Sequence, residues 1–188
     1  MLGRSRRPGV RQPCKEKRAD LAQEDHALLV DSGLVVWREA SIAVVCPVVP
    51  IPTLSALDLP TPCTVRQRLV ALFRLIRARR DLQYLGLDEA ISKLERRKAC
   101  VTPRCDRTTL LSEAHAFSFT ARLMRSHDQC LPRSLAVTTR LAALDIAVDL
   151  VIGVRLRPFA AHSWAQTDAI LLNDRFDTVR SYQPILVV

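Results

Sequence analysis

A proline two residues after a cysteine fixes the most informative point in this chain. Pro132 is tolerated in a helix only in the first turn, where its missing N–H costs nothing. Leu131, Leu135, Thr138, Leu141, Ala142 and Leu144 recur at helical spacing, so residues 131–145 predict a helix with one apolar face. Cys130 then stands at its N-terminal end. Unpaired N–H groups and the helix dipole stabilise a thiolate there, and the thiolate is the nucleophilic form.

Strands follow. Val148, Leu150, Ile152 and Val154 alternate with Asp149, Val151, Gly153 and Arg155, a period of two, until Pro158 breaks the run. Residues 159–166 and 170–174 predict two strands joined by Thr167-Asp168-Ala169. A turn centred on Asp168 sets His162 opposite Asp174, with Cβ atoms roughly 4.5–5.5 Å apart. A slip of one residue sends Asp174 to the other face.

These residue types suit one kind of chemistry. A thiol needs a base to attack at neutral pH, and the base needs a third group to fix its tautomer. Cys130 is the candidate nucleophile, His162 the base and Asp174 the residue that orients it. The N–H of Cys130 is a candidate oxyanion donor, and Trp164 shares the face of His162. Spacing alone carries limited weight, because a buried structural cysteine near a satisfied histidine is the commoner arrangement.

Four blocks in order add to it: Cys130-Leu-Pro-Arg-Ser-Leu-Ala, Leu150-Val-Ile-Gly-Val-Arg155, Pro158-Phe-Ala-Ala-His162-Ser-Trp164 and Leu172-Asn-Asp174. Together they resemble the leader peptidase of lasso-peptide biosynthesis, the B protein of the microcin type, over residues 65–188. The resemblance implies a transglutaminase-like, papain-related α+β domain with helices followed by an antiparallel sheet. It also implies that Cys130, His162 and Asp174 are the triad. The family form continues His-Ala-Trp-Val-Glu, whereas this chain reads His162-Ser163-Trp164-Ala165-Gln166, so the acidic position is lost. The implied partners are a precursor peptide, through its leader, and an asparagine-synthetase-like cyclase. The family's maturation involves ATP. No G-x-x-x-x-G-K-[ST] loop exists in this chain, which assigns nucleotide dependence to the cyclase, and the chemistry itself needs no cofactor and no metal.

The remaining chain reads as support. Its 188 residues allow one good domain and a small appendage, and 48% hydrophobic content allows a real core. Arg4, Arg6, Arg7, Arg11, Lys15, Lys17 and Arg18 against Glu16 make residues 1–19 a basic, disordered tail. Residues 20–62 predict a small β-rich region, with strands between 26 and 46 and a Pro-rich linker over 47–62. By the resemblance, 20–60 is a shortened precursor-recognition element whose sheet edge accepts the leader as an added strand, or else a cap on the protease. Residues 63–188 form the peptidase domain. Thr64 caps a helix with the stripe Val65, Leu69, Leu72, Phe73 and Ile76, ending near Gly86. Helices over 88–98 and 112–125 follow, and 179–188 predict a last strand.

No run of 18 apolar residues predicts a membrane span, and the basic N-terminus lacks the apolar segment of a secretory signal. Cysteines at 14, 46, 63, 100, 105 and 130 do not form a disulfide framework, so a reduced, cytoplasmic protein is expected. Cys100 and Cys105, with His115 or His127, are spaced wider than a zinc knuckle and read as loop residues. His127 is a rival base and Asp177 a rival third member. Two other functions use the same sequence. A transglutaminase-type acyl transferase keeps the triad but takes an amine acceptor. A basic, non-catalytic nucleic-acid module fits the net charge of +9, but the chain has few aromatics and no recognised motif.

Overall fold

The computed structural model describes residues 48–102, 106–124 and 129–188. The chain divides between Val44 and Val45, and the described residues belong to the second unit, Val45–Val188. The basic tail, the strands expected at 26–46 and the leader-recognition reading placed on them lie outside the described residues. So do Cys105 and His127.

Strand β1 (Leu54–Ser55) opens the unit and runs into a short 3-10 turn, Ala56–Asp58. Helical element α1 (Val65–Lys98) begins with a reciprocal cap: Thr64 Oγ1 accepts the Gln67 N–H, and Gln67 Oε1 accepts the Thr64 N–H. Gly86 breaks it with φ 80, ψ 176, a conformation that glycine adopts without strain, so two helices meet there. Helix α2 (Arg107–Leu123) is capped by Asp106, and helix α3 (Cys130–Ala142) follows. Then come β2 (Asp149–Leu156), β3 (Phe159–Thr167), β4 (Ile170–Leu171), a one-turn helix α4 (Phe176–Val179) and β5 (Gln183–Val187). The last stretch, expected as one strand from 179, is divided between Val179, at the end of α4, and β5.

The sheet order is β1-β4-β3-β2-β5. It is mixed, not antiparallel throughout: β1 runs parallel to β4, pairing Leu54 with Ile170 and Ser55 with Leu171. The expected Pro-rich linker over 47–62 therefore supplies an edge strand, and Ala56 within it is fully buried. Two residues of strand leave no periodicity to read, which is why this element is silent in the sequence.

The helices cover one face of the sheet. Their core is built from small side chains at close approach: Ala71, Leu75, Ala78, Ala90 and Leu94 from α1, Ala114, Ala116 and Phe117 from α2, and Leu135, Ala136 and Leu141 from α3. Leu150, Ala165 and Leu172 meet them from the sheet and its continuation. The stripe expected to be buried on α1 faces outward instead, with Phe73 78% and Val65 70% exposed. The first part of α1 is apolar on two sides, and the alanine side wins because it lets the helices come closer. A buried ion pair adds to this interface: Arg140 of α3 donates through Nη2 at 2.8 Å and Nε at 3.1 Å to Glu113 of α2. On the other face of the sheet Val151, Trp164 and Leu171 pack with Val179. Among the described residues no helix is long and apolar enough to cross a membrane.

Candidate active site

Cys130 is the first residue of α3, and Gln129 before it makes no side-chain cap. The opening N–H groups are thus not consumed by a capping side chain, as an anion-stabilising helix mouth requires. Strand β3 brings the partners. His162 and Ser163 are the neighbours that act on the Cys130 sulfur, and both lower its proton affinity. His162 Nε2 and Asp174 Oδ2 lie 2.5 Å apart. With Nε2 committed to Asp174, Nδ1 is the nitrogen left for the thiol.

The route by which Asp174 reaches His162 differs from the expected one. The turn has two residues, Asp168 and Ala169, with Asp168 in the left-handed region at φ 47, and Thr167 pairs with Ile170 and Gln166 with Leu171. Continued, that register would set Asp174 opposite Ser163, one residue off. The ladder instead stops after Leu172, whose N–H donates to the Ala165 carbonyl. Asn173 then turns inward: its Oδ1 accepts the Ala165 N–H at 2.8 Å, and its Nδ2 donates to Ser134 Oγ at 2.9 Å. Ser55, 119 residues earlier, donates its hydroxyl to the Asp174 carbonyl at 2.8 Å. Asp174 reaches the histidine because the chain leaves the ladder, and not because of strand pairing.

Ser134 ties this together. Its hydroxyl lies 2.8 Å from the Cys130 carbonyl and 2.9 Å from the Ser163 carbonyl. Helix, strand and the Asp174 segment therefore share one buried polar node. Ser134, Ser163 and Asn173 carry this part of the geometry, and sequence reasoning gave them no role. The available signal was position: Ser134 is one helical turn after Cys130, and Asn173 precedes the acid.

Electrostatics follow from these contacts. The bond to His162 lowers the Cys130 thiol below its ordinary range, against burial, which raises it. Burial alone would depress His162, but the bonds to Asp174 and Cys130 outweigh it and raise the imidazole to about 9. Burial pushes Asp174 up, but the His162 bond and the Arg175 N–H more than reverse that. The three shifts run in one direction: each favours the thiolate, imidazolium and carboxylate over the neutral forms. Asp177, the rival third member, is 83% exposed in its side chain and pairs with Arg180 at 3.6 Å. His115 turns to the Leu59 carbonyl.

The surroundings shield one side. Trp164 is 1% exposed, with its ring centroid 6.3 Å from that of His162, and Tyr182 lies at 5.1 Å. Gly153, opposite His162 on β2, makes room for the indole: a Cβ there would stand 2.9 Å from the Trp164 ring. The altered position Gln166 also has a physical reason. Its Oε1 accepts the Trp164 Nε1–H at 2.7 Å, and its Nε2 donates to the carbonyls of Pro50 and Asp168 at 3.0 and 3.1 Å. An ionised glutamate accepts but cannot donate, so only the amide satisfies all three contacts.

A cysteine at a helix mouth, with a paired histidine and aspartate on the adjoining strand and loop, marks a cysteine-centred α+β domain. The model of the transglutaminase-like superfamily matches residues 72–187, and this chain belongs to that superfamily. Its members are usually cysteine-based enzymes, peptidases or transferases. No curated protein and no solved structure matches the chain.

Proposed function

We propose that this protein is a cysteine peptidase that removes the leader from a lasso-type ribosomal precursor peptide. The observation that carries the chemistry is the joining of Cys130, His162 and Asp174 at the opening of α3. The four sequence blocks around these residues support the substrate class. The Cys130 thiolate adds to the scissile carbonyl, and the N–H of Cys130 at the helix mouth receives the developing oxyanion. The His162 imidazolium passes its proton to the leaving amine, leaving a thioester on Cys130. Neutral His162 then takes a proton from water, which hydrolyses the thioester and regenerates the thiol. Asp174 keeps Nε2 occupied so that Nδ1 faces the sulfur throughout.

In this reading residues 20–60 contribute leader binding, and the freed core peptide passes to an asparagine-synthetase-like cyclase, which uses the ATP. Acyl transfer is the second reading, because the superfamily contains both outcomes. Mass spectrometry of a candidate precursor with the protein, with and without an added primary amine, decides between them. Two fragments whose masses sum to the precursor plus water support the peptidase. An amine adduct in place of water makes it a transferase, and an unchanged precursor with no thioester removes both.

A further inference from the structure

Arg133 stands three residues after Cys130 on α3, and the chemistry above gives it no task. Its Nη2 lies 3.4 Å from the Asn173 carbonyl, and its buried Nε has no hydrogen-bond partner. A buried donor without a partner is destabilising, so its persistence needs a reason. Asp174 is not that partner: one of its oxygens is on His162 and the other takes the Arg175 N–H. Burial lowers the Arg133 guanidinium below the usual arginine range, against the pull of the Asp174 and Cys130 charges.

The guanidinium borders an open cavity of about 290 Å³. Arg122 and Arg175 also line it, with the hydroxyl residues Ser118 and Thr178. Asp174 is its one acidic lining residue among the described residues, and that carboxylate is already engaged. The volume is at the small end for ligand pockets and suits one side chain better than a whole small molecule. A guanidinium presents N–H donors in a fork that matches a carboxylate. Asp174 lines this cavity and also holds His162, so an occupant lies next to the reacting bond.

We propose that the cavity receives an aspartate or glutamate side chain of the peptide substrate, accepted by Arg133 with Arg122 and Arg175 around it. The word substrate rests on the peptidase reading; the carboxylate site does not. It makes the enzyme selective for a peptide with an acidic residue close to the cut.

The test is the side-chain Nε–H resonance of Arg133 in the full-length, nitrogen-15-labelled protein, assigned with Arg133→Lys. N-acetyl-glutamate N-methylamide shifts it saturably, whereas the glutamine counterpart leaves it in place. Arg122→Gln and Arg175→Gln, both at exposed positions, each weaken binding about threefold. No shift, or equal shifts with both amides, overturns the proposal. Binding of inorganic phosphate without binding of the glutamate probe also overturns it, because the cavity is then a free-anion site. Glutamate-specific binding by a protein that cuts no precursor supports the cavity and overturns the peptidase reading alone.

Discussion

Helix α3 is tied down at both ends by partly buried ionic groups, and the two ends differ in kind. Near its C-terminus Arg140 and Glu113 satisfy each other with two hydrogen bonds, and Glu113 is only 2% exposed in its side chain. At its N-terminus Cys130, His162 and Asp174 form a group of three whose members shift one another's proton affinities: the thiol and the carboxyl are lowered, and the imidazole is raised to about 9. The first pair is closed and does nothing but hold. The second ends in a sulfur that a passing electrophile can reach. A buried ion pair signals chemistry when one of its members is a nucleophile and all of them are displaced together.

The largest effect expected is at the open end. Cys130→Ala removes leader cleavage by a factor of about 10³ or more while leaving the melting temperature nearly unchanged, as judged by mass spectrometry and calorimetry. Undiminished cleavage would take the sulfur out of the mechanism. The closed end gives the reverse pattern. Arg140→Ala strands the Glu113 carboxylate and lowers stability by about 3–5 kcal/mol in urea unfolding, while folded protein keeps its Cys130 alkylation profile. Equal stability of the variant would mean that the pair is dispensable.

The third prediction concerns pH. Alkylation of Cys130 follows the thiolate–imidazolium state, which spans the range from below the ordinary thiol value up to about 9, where His162 loses its proton. In Asp174→Asn the amide oxygen still accepts from Nε2 but carries no charge. The His162 value falls, and the alkaline limb of the profile moves to lower pH with turnover down about 10–100-fold. Asp177→Asn leaves both unchanged; a larger effect there would transfer the orienting role. The smallest effect is at Gln166. Gln166→Glu restores an acid but loses two donated hydrogen bonds, costing about 1–3 kcal/mol of stability. A more stable variant would show that the amide contacts contribute nothing.

The same contrast explains what could be read from the sequence. Pro132 fixed the start of α3, and period-two alternation marked β2 and β3, because both signals are local. The α+β class follows from those elements. The way His162 and Asp174 come together was not legible. It depends on where a ladder stops, on the Asn173 amide and on a Ser55 hydroxyl from the far end of the unit, none of which periodicity records. The orientation of α1 was hidden for another reason. Val65, Leu69, Phe73 and Ile76 form as good an apolar stripe as Ala71, Leu75 and Ala78, and hydrophobicity cannot tell which one its neighbours choose. β1 is too short to announce itself.

Asn173 has one further consequence. Its amide fastens the acid-bearing segment to both the strand and the helix before any peptide arrives. On the peptidase reading, the proposed triad is therefore held in place by the fold itself rather than by a bound peptide. On that reading, control over when it acts falls to whatever delivers the peptide to the sulfur, and the expected outcome is that the free protein alkylates at Cys130 as readily as protein mixed with precursor, or more so.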